Sequence, residues 1–113
     1  MCNHNVSVTQ NETWTQTFEF KNADGTSFSL AAYTEIHCQL RKKAGAAVEV
    51  EAWKTEGDII VSGNLLTIKL LIPEDIKGNY KYDIDLIKAD GTIWTPIWGT
   101  MSIREQITIQ PGV

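Results

Sequence analysis

The chain of 113 residues has no long apolar run. Leu70-Leu71-Ile72 is typical of its hydrophobic stretches, whereas crossing a bilayer takes about 20 consecutive apolar residues. It also has no surplus of positive charge. Ten Lys and Arg stand against fourteen Asp and Glu, a net charge of −4. Phosphate contacts need a basic excess, so a dedicated nucleic-acid binder is disfavoured. Cysteine is scarce: Cys2 and Cys38 form no CxxC pair, and His4 and His37 lie at offsets that suit no metal site. The opening Met1-Cys2-Asn3-His4-Asn5 lacks the basic and apolar regions of a signal peptide, so none is expected. Two reduced thiols suit synthesis in a cytoplasm. Also missing are a Gly-rich phosphate loop, a GxSxG elbow, an HExxH helix and an EF-hand loop. Acid–base catalysis would have to rest on His37, and Cys38 beside it points to the opposite face of the same strand. Neither an enzyme nor a cofactor is expected.

What the chain does have is alternation with period two, and no stretch offers a long amphipathic helix. Trp14, Phe18 and Phe20 alternate with Thr15, Thr17 and Glu19. Ile36, Cys38 and Leu40 alternate with His37, Gln39 and Arg41. Leu66, Ile68, Leu70 and Ile72 share one face, and Tyr80, Tyr82, Ile84 and Leu86 alternate with Lys81, Asp83 and Asp85. Each strand thus has a dry face and a wet face, as two packed antiparallel sheets require.

The turns agree. Asn22-Ala23-Asp24-Gly25-Thr26 and Lys88-Ala89-Asp90-Gly91-Thr92 are near-copies with Asp-Gly between two β patterns, so both predict tight hairpins. The spacing predicts about seven to eight strands, near 5–9, 13–21, 33–42, 48–54, 58–61, 65–72, 79–87 and 92–104. The expected fold is all-β, an immunoglobulin-like antiparallel sandwich forming a single domain over 1–113 with short terminal arms near 1–5 and 106–113. A tyrosine corner is suggested at Tyr80, after Gly78-Asn79, with Pro73 to Gly78 as a corner that holds at most one helical turn. The disulfide pair and strand Trp of antibody domains are missing.

Surface chemistry offers few candidates. Asp83 and Asp85 fall on one strand face about 7 Å apart, and a solvated face balanced by Lys81 is the plain reading. The sequon Asn11-Glu12-Thr13 is incidental without a secretory signal. Tryptophan says more. Trp14 belongs with the core, Trp53 breaks onto a polar face, and Trp94 and Trp98 flank Thr95-Pro96-Ile97. Pro96 cannot donate to a ladder, so an edge or bulge is expected there. Exposed aromatics anchor protein partners and can also stack on sugars. Ile107 and Ile109 are apolar for a free tail, so one terminus is expected to order against a neighbour. The candidate partner-binding residues are Trp53, Trp94, Trp98, Ile107 and Ile109.

The order of these elements resembles a group of small tailed-phage structural domains. They are related in pattern to the N-terminal domain of upper baseplate proteins from phages of Gram-positive hosts. The resemblance begins with Thr9-Gln10-Asn11-Glu12-Thr13 and the aromatic strand from Trp14 to Phe20. It continues through Asn22-Ala23-Asp24-Gly25, Leu30-Ala31-Ala32-Tyr33-Thr34 and Cys38-Gln39-Leu40-Arg41-Lys42. It closes with Pro73 to Gly78, Tyr80, Tyr82, Asp83 and Ile84, then Ala89-Asp90-Gly91 and Ile97-Trp98-Gly99-Thr100-Met101-Ser102-Ile103. The chain departs from the pattern at Asn11-Glu12, where the family has Gly-Asp. The resemblance implies a virion structural adaptor of a baseplate, tail, collar or head fibre, made in the host bacterial cytoplasm. Its implied partners are other virion proteins and further copies of itself, with no nucleic acid and no membrane. A carbohydrate- or surface-binding sandwich module using Trp53, Trp94 and Trp98 is the alternative.

Overall fold

The computed structural model describes residues 2–43 and 45–105. In chain order the strands are β1 (Cys2–Asn3), β2 (Val6–Thr9), β3 (Thr13–Glu19), β4 (Tyr33–Arg41) and β5 (Val50–Trp53). There follow β6 (Ile59–Ser62), β7 (Leu65–Leu71), β8 (Gly78–Lys88) and β9 (Ile93–Arg104). The larger sheet has the order β5-β4-β8-β9, with both β1 and β2 paired to the outer side of β9. The smaller sheet has the order β3-β7-β6. Both faces of this sandwich close on one core, to which Ile36, Leu40, Ile84 and Met101 contribute from the larger sheet and Trp14, Leu66 and Ile68 from the smaller. The expected all-β, immunoglobulin-like sandwich is what the chain adopts.

β1 and β2 are two pieces of one edge strand. Cys2 pairs with Ile97 and Val6 with Met101, so the register is continuous across the gap; counted once, the edge strand brings the total to eight. Two features of it differ from expectation. It runs parallel to β9, and Cys2–Asn3, placed by the sequence in a terminal arm, are laid down as strand. The reason lies at Gly99. A Cβ there would sit 2.7 Å from the His4 carbonyl carbon and nearer still to its oxygen, so only glycine lets the two backbones approach. Around this contact His4 N–H donates to Trp98 O at 2.8 Å, and the Thr100 N–H donates to the Asn5 side-chain oxygen at 3.0 Å. The Tyr82 hydroxyl donates to the His4 carbonyl. The backbone bond of a tyrosine in β8 thus comes from Tyr82. Tyr80 is buried with no hydrogen bond to its phenol among the described residues, so the expected corner is not formed there.

The twin turns fold alike. Gly25 N–H donates to Asn22 O and Gly91 N–H to Lys88 O, both at 2.9 Å, with φ of +88° and +90° at the two glycines. Asn22 N–H donates back to Thr26 O and Lys88 N–H to Thr92 O. This is a three-residue hairpin loop closed by a left-handed glycine. The Asp24 carboxylate accepts from the Thr26 hydroxyl at 2.6 Å and from the Thr26 N–H, and the Asp90 carboxylate accepts from the Thr92 N–H. Those bonds hold both carboxyls below the usual carboxylate range. In the turn before β3, Asn11 takes a φ of +62°, a conformation that Asn tolerates better than other non-glycine residues. The corner after Pro73 is a turn at Glu74–Asp75 without a helix, and buried Gln10 donates through its amide to Ile76 O at 2.8 Å.

Candidate binding site

The outward face of the larger sheet is a ladder of polar side chains set by register. Across it lie Trp53, His37 and Asp85 in one row, then Glu51, Gln39, Asp83 and Trp98, then Arg41, Lys81 and Thr100. Gln39 is the hub. Its amide donates to Asp83 Oδ1 at 2.9 Å and to Asp85 Oδ2 at 3.4 Å. Its carbonyl accepts from Arg41 Nη2 at 2.8 Å. Arg41 Nη1 donates to Ala46 O, Lys81 donates to the Thr100 hydroxyl, and the Thr95 hydroxyl donates to Asp85. The two carboxylates are therefore half-buried and cross-linked, in contrast to the solvated face expected of them. Loss of water raises the Asp83 carboxyl above its ordinary value, the nearby Asp85 charge adds to this, and the Gln39 bond opposes it.

Trp53 does sit on the polar side of β5, yet it does not project. Its ring stacks on His37 with centroids 3.6 Å apart and planes 7° from parallel. Glu51 Oε2 accepts from Trp53 Nε1 and meets His37 Nε2, both at 2.9 Å. Cys38, on the opposite face, is fully buried, and burial pushes its thiol far up, so it faces neither His37 nor solvent. Among the described residues no three metal-ligating side chains converge.

Trp94 and Trp98 part company at Pro96. Ile84 pairs with Ile97 but Leu86 pairs with Trp94, so β9 carries one extra residue across this step. A bulge of one residue inverts the facing of everything beyond it. Hence Trp94 turns inward and packs against Phe20, Phe28 and Tyr33, with centroids about 6 Å away in each case. The sequence placed it among exposed anchors; the bulge puts it against the core. Its remaining open edge helps line a shallow cavity of about 270 Å³ with Phe18, Phe20, Pro96 and Ile97. Trp98 points outward and is 38% exposed. Beside it is a second cavity of about 360 Å³ walled by Gln39, Arg41, Gly45, Lys81 and Asp83. Ile107 and Ile109 lie outside the described residues.

The sequence did not single out Gln39 or Arg41, which look like ordinary outward strand residues. Only the cross-strand register, which joins positions 44 apart, brings Gln39 to Asp83. A further open element is β3. It pairs with β7 on one side, and no strand of the described residues lies on its other side.

No family model matches the chain, and no curated protein matches it. Solved structures similar to it include a 2,6-sialyltransferase from Vibrionaceae Photobacterium sp. JT-ISH-224, at 15% identity and a TM-score of 0.43. Latent PorU from Porphyromonas gingivalis matches at 12% identity with a TM-score of 0.49, and extracellular domains 3–5 of Drosophila OTK at 14% with a TM-score of 0.41. These alignments cover 92%, 92% and 95% of this chain but only 18%, 11% and 34% of the respective neighbours.

Proposed function

We propose that the chain is a structural adaptor that acts by protein–protein contact, and that its setting is the virion of a tailed phage, in a baseplate, tail, collar or head fibre. The observation that carries the contact mechanism is the unguarded edge of β3. This strand is seven residues long and pairs with β7 in unbroken register from Thr13↔Leu71 to Glu19↔Leu65. It contains no Pro, no Lys and no bulge, the devices that normally stop a sheet edge from accepting another strand. Its outward residues Thr13, Thr15 and Thr17 suit extended backbone. A strand added there would satisfy the free edge and extend the smaller sheet into a neighbour. The virion setting and its partners, other virion proteins and further copies of the chain, rest on the order of motifs from Thr9 to Ile103.

The test uses light scattering after size exclusion, on the chain alone and mixed with the products of its neighbouring genes. The expected result is an assembly that the guarded variant Thr15→Lys/Thr17→Lys returns to monomer while its fold is retained. A chain that stays monomeric with every neighbouring product, or assemblies indifferent to the two lysines, would remove the basis of this reading.

A further inference from the structure

The adaptor reading leaves the outward face of β4, β8 and β9 unused, and that face has the composition of a binding site. Trp98 is its one exposed aromatic, and among the described residues no other ring packs on it. The side chains around it are polar and already held in place. Arg41 is fixed by Ala46 O and Gln39, Gln39 by Asp83, and Lys81 by the Thr100 hydroxyl. Holding donors and acceptors before a ligand arrives reduces the ordering cost of binding. Asp83 Oδ1 accepts from Gln39, and its second oxygen accepts no bond from the described residues.

We propose that this cavity is a saccharide subsite that takes one uncharged hexopyranose ring, stacked on Trp98 and hydrogen-bonded by Asp83, Arg41 and Lys81. Three observations select that ligand class. A pyranose presents a C–H face and a rim of hydroxyls that both donate and accept, which matches an indole flanked by a carboxylate acceptor and two cationic donors. The charges of Asp83 and Asp85 are balanced by those of Arg41 and Lys81, so neither a phosphate nor an acidic peptide is favoured. The volume, about 360 Å³, lies at the small end of small-molecule sites, roughly 300–1,000 Å³. The inference does not depend on β3, since that edge belongs to the other sheet.

The experiment is a ¹H–¹⁵N titration of the whole chain with methyl α-D-glucopyranoside, methyl β-D-galactopyranoside and methyl α-D-mannopyranoside, alongside an array of neutral glycans. We expect at least one of these to shift the backbone amides of Lys81, Asp83 and Gly99, which line the cavity, saturably, with a Kd of about 0.1–10 mM for a single ring. Trp98→Ala should abolish the shift, Trp98→Tyr should retain it, and Asp83→Asn should weaken binding about tenfold or more. If Trp98→Ala proves unfolded, the Asp83→Asn and Trp98→Tyr pair decides. No saturable shift with any of the three glycosides and no array signal, or shifts indifferent to Trp98 and Asp83, would overturn the proposal.

Discussion

Replacing Gly99 by Ala tests how the first strand is held. In an ordinary strand position this change favours folding by roughly 0.5–1 kcal/mol, because Ala gives up less backbone freedom than Gly. Here the new Cβ falls within 2.7 Å of the His4 carbonyl carbon, a backbone atom that cannot swing aside as a side-chain tip would. The N-terminal strand must lift from β9. Lifting it breaks three bonds: His4 N–H to Trp98 O, Thr100 N–H to Asn5, and the Tyr82 hydroxyl to His4 O. At about 0.5–1.5 kcal/mol net for each bond, less the gain from Ala, the loss is about 0.5–4 kcal/mol. In a domain of this size that lowers Tm by about 4 °C per kcal/mol. Urea unfolding followed by tryptophan fluorescence gives the energy, and hydrogen exchange at the His4 and Thr100 amides gives the location. The decisive control is a variant that lacks residues 1–5, in which Gly99→Ala should be neutral or stabilising. A loss below about 0.5 kcal/mol, or the same loss in both backgrounds, would refute the close-approach account.

Three further outcomes follow from the same geometry. Ile84→Ala empties a fully buried site between the sheets and should cost about 2–5 kcal/mol, read from the urea midpoint. Asp83→Asn keeps an oxygen for Gln39 and removes a charge that the fold disfavours. A carboxyl raised in the folded state contributes most below its unfolded value of 3.8 and progressively less as pH rises through its folded value. The variant should therefore match or exceed the parent by up to about 1 kcal/mol at pH 7, discounted for partial exposure, and lose that advantage in acid. Stability measured at both ends of the range checks the sign. Asp24 and Asp90 behave oppositely: their contribution is present above 3.8 and disappears as pH falls through their depressed folded values. Carboxyl titrations followed by NMR should give midpoints below 3.8 for both, returning to the ordinary value for Asp24 in Thr26→Pro, which removes its N–H and hydroxyl partners.

Much of the architecture was readable because it is local. Alternation marked the faces of β4, β7 and β8, and Asp-Gly marked both hairpin loops, since each depends on neighbours within a few positions. What escaped depends on distant pairing. Counting by twos places Trp94 and Trp98 on one face, and a single added residue opposite Ile84–Leu86 separates them. The distance from Gly78 points to Tyr80 as the corner tyrosine, whereas the phenol that reaches a main-chain oxygen is that of Tyr82, across Gly99. The polar ladder through Gln39 shows the same limitation. Its members are scattered over β4, β8 and β9, and each alone has the appearance of a hydrated strand residue.

The seam between the first and last strands also has a temporal consequence. Asn5 and Thr100 meet across 95 positions, so about a hundred residues must be available before β1 and β2 find the strand they pair with. Contacts of such long sequence separation slow the search for the native state. Until β9 is in place, Val6 and Val8 have no strand beside them.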